Sequence, residues 1–203
     1  MLPLTSKDNE MNPKFLALIL SSAVALTACN GGTADKKTAA PSSEPAAASA
    51  AAHEQDKVKL LSSDGKISIE TSGQFADKLG DEAALPEGVA KEKITLLQKD
   101  NVTGTTLTVI DTGTSVNPAE YFQKVKAALE ADKSLNNLVL GDIAANSMTY
   151  GFSQADEQGN ILLNERCKIM LHGKDKLYTI CASNTEGNQD ELAAALKYIT
   201  TVE

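Results

Sequence analysis

The sequence predicts an α+β domain built on an antiparallel sheet. Short runs of alternating apolar and polar residues follow one another between positions 57 and 182, as half-buried strands do. Their links are brief and rich in Gly, Asp and Asn, long enough for hairpins but too short for helical crossovers. The period turns helical only twice, after Asn117 and near Asn188. Strands joined mostly by hairpins, with two helices added, give an α+β rather than a doubly wound class.

The domain does not begin at once. Met11, Asn12, Pro13 and Lys14 form a short basic region, Phe15 to Leu26 an apolar one broken only by Ser21 and Ser22, and small residues follow. These are the parts of a secretory signal. From Phe15 to Ala28 the stretch is 14 residues, short of the roughly 20 a helix needs to cross a bilayer. Residues 1–10 carry Lys7, Asp8 and Glu10, unlike a signal, so Met11 is the expected start and 1–10 an extension.

Leu26-Thr27-Ala28-Cys29 resembles the site cut by bacterial lipoprotein signal peptidase. The resemblance implies that Leu26, Thr27 and Ala28 are read by that peptidase and that Cys29 becomes the lipidated first residue of the mature chain. The alternative is an ordinary signal peptide with an incidental cysteine. Several acyl chains on one residue hold a protein stably, whereas one holds it marginally. Asn30 follows the cysteine where an Asp would, by resemblance to enteric sorting signals, favour the inner membrane. The expected location is therefore the bacterial envelope, outer membrane over inner, with the domain in the periplasm or at the cell surface.

Residues 29–56 are Ala, Ser, Pro, Thr and Lys with almost no large apolar side chain, which predicts a disordered tether. About 25 flexible residues reach about 25–30 Å. The remainder, 57–203, is one domain of ordinary size. The net charge is −8, and removing 1–28 leaves it unchanged because Lys7 and Lys14 balance Asp8 and Glu10. An acidic mature chain argues against nucleic acid as a partner and against a polybasic membrane patch. The partners expected are the membrane, through the lipid, and another envelope protein.

Within the domain, Lys57–Ser62 and Lys66–Thr71 read as strands around Asp64-Gly65, a hairpin dipeptide. Gln74 to Val89 reads as irregular, with room for a short helix over Phe75–Leu79. Lys93–Lys99 and Thr105–Ile110 are the next strands. Asn117-Pro118-Ala119-Glu120 then starts a helix, with Asn as cap, Pro at the first helical position and Glu three after the cap. Phe122, Val125 and Leu129 form its apolar stripe to about Asp132. Strands resume at Asn137–Leu140, Ser147–Gln154, Asn160–Leu171 and Lys176–Ala182. A last helix begins near Asn188 and carries Leu192, Ala195, Leu196 and Ile199 on one face.

Cys167 and Cys181 fall on consecutive strands. A hairpin symmetric about Lys174 sets them directly opposite, with Ile169 facing Thr179 and Leu171 facing Leu177. Opposed residues lie within disulfide reach, and an exported chain meets an oxidising compartment. A disulfide is the expectation. The alternatives are two buried thiols, or a redox-active pair, though no Cys-x-x-Cys spacing is present.

Only one motif offers chemistry. Val109-Ile110-Asp111-Thr112-Gly113-Thr114-Ser115 resembles the loop of aspartic proteases, in which two such Asp share a proton over a water. It occurs once, so a homodimer would be required. Leu138-Val139-Leu140-Gly141-Asp142 resembles the apolar-apolar-Gly run that supports that loop, but only 30 residues separate Asp111 from Gly141, and the helix after Asn117 consumes most of them. The plainer reading is a polar turn at Asp111 and Gly113 leaving a strand. His53 and His172 stand apart from any metal-like cluster, and the acidic spots at Asp81-Glu82 and Asp156-Glu157 lack the alternating oxygens of a calcium loop. No catalytic residue, metal ligand or cofactor is expected.

A lipidation motif, a tether and then Asp64-Gly65-Lys66-Ile67-Ser68-Ile69 resemble the opening of DcrB-like envelope lipoproteins. The order of strands, Pro-started helix, strands and closing helix continues that likeness through Tyr198-Ile199. The resemblance implies a PsbP-like α/β/α sandwich, a sheet with helices packed on its faces, and no catalytic residues. The function it leaves is a non-enzymatic accessory or protein-interaction role at the envelope. The alternatives are a carrier or sensor of a small apolar ligand and, remotely, a protease using Asp111.

Overall fold

The computed structural model describes residues 57–187 and 189–203. The lipidation site at Cys29 with Leu26, Thr27 and Ala28, the tether, and the expected helix start at Asn188 lie outside the described residues. Among the described residues the chain forms ten strands and two α-helices, the α+β class that alternation and capping predict.

The first hairpin joins β1 (Lys57–Leu61) to β2 (Ile67–Ser72). Ser62 closes it, since its hydroxyl accepts from Ile67 N at 2.9 Å, and Gly65 takes the left-handed φ of 73° that the turn requires. Next come β3 (Phe75–Asp77), β4 (Ile94–Asp100) and β5 (Thr106–Thr114). Helix α1 (Pro118–Ala131) follows, capped by Asn117, whose side-chain oxygen accepts from Glu120 N. Then β6 (Asn136–Ile143), β7 (Ser147–Ala155), β8 (Ile161–His172) and β9 (Lys176–Asn184) run as a meander. Helix α2 (Gln189–Ala195) and β10 (Tyr198–Thr201) close the chain.

The strands form two sheets, not the single one expected. Three strands pair in the order β1-β2-β10 and seven in the order β3-β4-β5-β9-β8-β7-β6. Every pairing is antiparallel. The division follows from two short strands that the sequence hides. Phe75–Asp77 is strand rather than helix: Asp100 accepts from Gln74 N at 2.9 Å and Gln74 O accepts from Asn101 N at 3.0 Å, which lays the segment along β4. Ile199 does not extend the last helix. Lys197 N donates to Ala194 O at 3.2 Å, a tightened last turn, and Tyr198 then pairs with Glu70 on the open edge of β2.

Apolar side chains gather in two clusters, and strand alternation decides which residue joins which. Leu177 and Cys181 of β9 pack with Phe122, Val125 and Leu129 of α1. Tyr178, Ile180 and Ala182 of the same strand pack with Ile67 and Ile69 of β2, Leu192 of α2 and Ile199 of β10. The seven-stranded sheet thus supplies both cores. Phe122, Ile69, Ile180 and Leu192 are fully buried, each stabilising the fold by about 1.5–3 kcal/mol relative to exposure. No described helix is long and apolar enough to cross a membrane.

Candidate functional site

Two polar groupings stand out against this apolar interior. The first gathers around the β1–β2 turn. Asp64 Oδ1 accepts from Ser62 Oγ at 2.6 Å and from Lys66 N at 3.1 Å, while Asp64 Oδ2 accepts from Tyr178 Oη at 2.6 Å. Beside it Lys176 Nζ meets Asp111 Oδ2 at 2.7 Å, and the His172 ring stands edge-on to Tyr178 at 6.1 Å. His172 Nε2 also lies 2.8 Å from Val202 O. Partial burial raises the Asp64 carboxyl, but the donors from Ser62, Tyr178 and Lys66 outweigh it and hold the group below its ordinary value. Tyr178 is pushed well above its ordinary value, first by burial and then by the bond to Asp64 and the charges of Asp64 and Asp111. These groups satisfy one another. They tie the first hairpin to β9 and the chain end to β8, which is an anchoring task.

Asp111 is the residue the protease resemblance singled out. The expected polar turn is not there: Asp111, Thr112 and Gly113 lie inside β5, with a bulge against β9 between Asp111 and Gly113. Gly113 takes φ 108°, and its N–H donates to Asp111 Oδ1 at 2.9 Å. A bulge absorbs the extra residue that a turn would otherwise shed. The carboxylate is thereby spent on Gly113 and Lys176.

The second grouping is buried. Cys167 and Cys181 face each other across β8 and β9, in the register expected, with Ile169 opposite Thr179 and Leu171 opposite Leu177. They form a disulfide with Cα atoms 4.1 Å apart. Two positions before Cys167, and so on the same face of β8, stands Glu165, only 6% exposed. Its Oε1 lies 3.0 Å from Cys167 Sγ. A disulfide sulfur has no hydrogen to donate, so among the described residues this carboxyl has no donor. Burial pushes it up to about 7. Tyr150 of β7 neighbours it and is raised by burial and by the charges of Glu165 and Tyr121, while Tyr121 of α1 is pushed up to about 12 by burial. The carboxyl and both sulfurs lie within 4.8 Å of one another, yet joined sulfurs are not thiolate ligands, and this set offers no metal centre while the disulfide is closed.

Sequence reasoning found the disulfide and missed Glu165. The signal was present, since the alternation that half-buries Leu163 and buries Cys167 and Ile169 puts Glu165 on the same inward face. A cleft of about 440 Å³, lined by Lys78, Asp81, Lys99 and Asp100 among others, opens beside β3 and β4. Its lining is largely polar.

No family model matches the chain, and no curated protein matches it. Among solved structures the chain is similar to the solution structure of cyanobacterial PsbP (CyanoP) from Synechocystis sp. PCC 6803. The identity is 14%, over 75% of this chain and 96% of that one, with a TM-score of 0.43.

Proposed function

We propose that the protein is a lipid-anchored component of the bacterial envelope that acts by presenting a non-catalytic surface to another envelope protein. One observation carries the reading: Leu26-Thr27-Ala28-Cys29 closes an apolar run of signal length, and residues 29–56 separate it from the first strand at Lys57. Cys29 is then the lipidated residue, Leu26 to Ala28 the peptidase recognition sequence, and Asn30 the residue that favours the outer membrane. The polar groups around Asp64 and Asp111 support the non-catalytic part, because hydrogen bonds and an ion pair within the fold engage them. The open, polar cleft beside β3 and β4 lends nothing to the apolar-ligand alternative, which calls for an enclosed apolar cavity.

The finer form of the fold in this reading is the PsbP-like α/β/α sandwich of DcrB-like lipoproteins. It is supported by the separate clusters that α1 and α2 make with alternate residues of β9.

Proximity cross-linking in cells tests the reading. The lipidated protein is expected to capture a defined set of envelope proteins that Cys29→Ser does not. Equal capture by the two forms, or recovery of both in the soluble fraction, overturns it.

A further inference from the structure

The Cys167–Cys181 disulfide has a chemical neighbour that a purely bracing disulfide does not need. Glu165 sits at 6% exposure with its Oε1 3.0 Å from Cys167 Sγ, and among the described residues no group donates to it. A buried carboxyl left without a donor costs stability that an apolar residue of similar size would not. A proton on the carboxyl lowers that cost while the disulfide is closed. Once the disulfide opens, Cys167 acquires a hydrogen and becomes the missing donor.

We propose that Glu165, Cys167 and Cys181 form a dithiol–disulfide exchange site in which Glu165 is the proton donor to the departing Cys167 sulfur. The substrate class is a dithiol reductant. Its thiolate attacks Cys181 Sγ, the sulfur of the more exposed residue at 7% against 1% for Cys167. The bond from the reductant sulfur to Cys181 Sγ forms as the Cys167–Cys181 bond breaks. The electron pair of the broken bond stays on Cys167 Sγ, which takes the proton of Glu165. The second thiol of the reductant, as its thiolate, then attacks its own sulfur in the mixed disulfide and releases Cys181 as a thiolate. The protein pair has gained two electrons and the dithiol, now a cyclic disulfide, has lost them. Re-oxidation by a disulfide runs the same steps backwards, with Glu165 receiving the Cys167 proton.

Exchange of this kind depends on access, on which sulfur is attacked and on how well the leaving sulfur carries charge. A neutral acid 3.0 Å from the leaving sulfur helps the last of these, whereas an ionised carboxylate there opposes it. Burial holds the acid protonated to about pH 7. Tyr150 from β7 feels the charge of Glu165, and Tyr121 from α1 acts on Tyr150 in turn; both are held well above the range in which the acid changes state.

The full chain carrying Cys29→Ser keeps Cys167 and Cys181 as its two cysteines, since the sequence holds three. Its reduction by dithiothreitol, followed by mass spectrometry after alkylation from pH 5.5 to 8.5, gives a rate per reductant thiolate. That rate is expected to fall about tenfold or more with a midpoint near pH 7, within the range proton donors contribute. Glu165→Gln, folded by circular dichroism, is expected to lose the step, and His172→Gln to keep it. The wild-type profile is decisive even where Glu165→Gln does not fold. A flat profile overturns the proposal, and so does a rate that rises with urea in parallel with global unfolding, because the disulfide then opens only in the unfolded chain.

Discussion

Glu165 shows how one residue can set a pH dependence for the whole chain. Its carboxyl is raised to about 7 in the folded protein, against about 4.3 when exposed in an unfolded one. Between those values the folded state holds a proton that the unfolded state has lost, so stability falls as pH rises. The penalty for burying the ionised acid is absent below about pH 4, grows through pH 7 and is level above it. With the disulfide kept closed, urea unfolding at pH 5 and pH 8 is expected to show the wild type less stable at the higher pH, by up to about 3 kcal/mol. Glu165→Gln is expected to remove most of that difference. An unchanged difference in the variant would assign it to other groups. At this scale the sequence was partly legible. The disulfide register followed from a hairpin centre, because cross-strand pairing leaves no freedom once the turn is placed. Glu165 did not, because an acid inside an alternating strand reads as solvent-facing until the phase of the alternation is set by its neighbours. Asp111 was misread for the opposite reason: Gly113 suggests a turn, and only pairing with β9 reveals a bulge.

Helix α1 is the element most fully written in the sequence. Asn117 caps it by accepting from Glu120 N at 3.2 Å, and its own amide donates to Glu120 Oε2 at 3.2 Å. Pro118 costs nothing at the first helical position, where its missing N–H has no partner to lose. Asn117→Ala is expected to destabilise the protein by about 1 kcal/mol, measured by urea unfolding, and Asn117→Asp or Asn117→Ser to retain most of that stability. A loss in all three alike would mean that Asn117 matters for something other than its cap. Strands β3 and β10 were illegible for a physical reason. Phe75–Asp77 and Tyr198–Thr201 are too short to display a period of two. Ile199 even falls at a helical spacing from Leu192 and Leu196, so local pattern points the wrong way. What makes β10 a strand is an unpaired edge on β2, some 130 residues earlier in the chain, and no local window contains it.

The two cores are coupled at the scale of the molecule by the strand they share. On β9, Leu177 and Cys181 belong to the α1 core, while Tyr178, Ile180 and Ala182 belong to the core with β2, α2 and β10. Pairing with β5 on one side and β8 on the other holds that strand in the interior of the seven-stranded sheet. Neither core can dissolve without uncovering one face of β9, and a strand stripped on one face loses the packing that favours its pairing. The division into two sheets therefore does not divide the protein into two folding units. Val125→Ala, in the α1 core at 2% exposure, and Ile69→Val, in the other core at 0%, each remove buried carbon and are expected to cost about 1–2 kcal/mol. Independent units would give two unfolding transitions, with each variant shifting one of them. Coupling through β9 gives a single transition by fluorescence and circular dichroism alike. Both variants then shift it, and the double variant sums their effects to within about 0.5 kcal/mol, because the two side chains lie in separate clusters. A second transition, or a variant that leaves the main one in place, would show that the shared strand does not join the two cores.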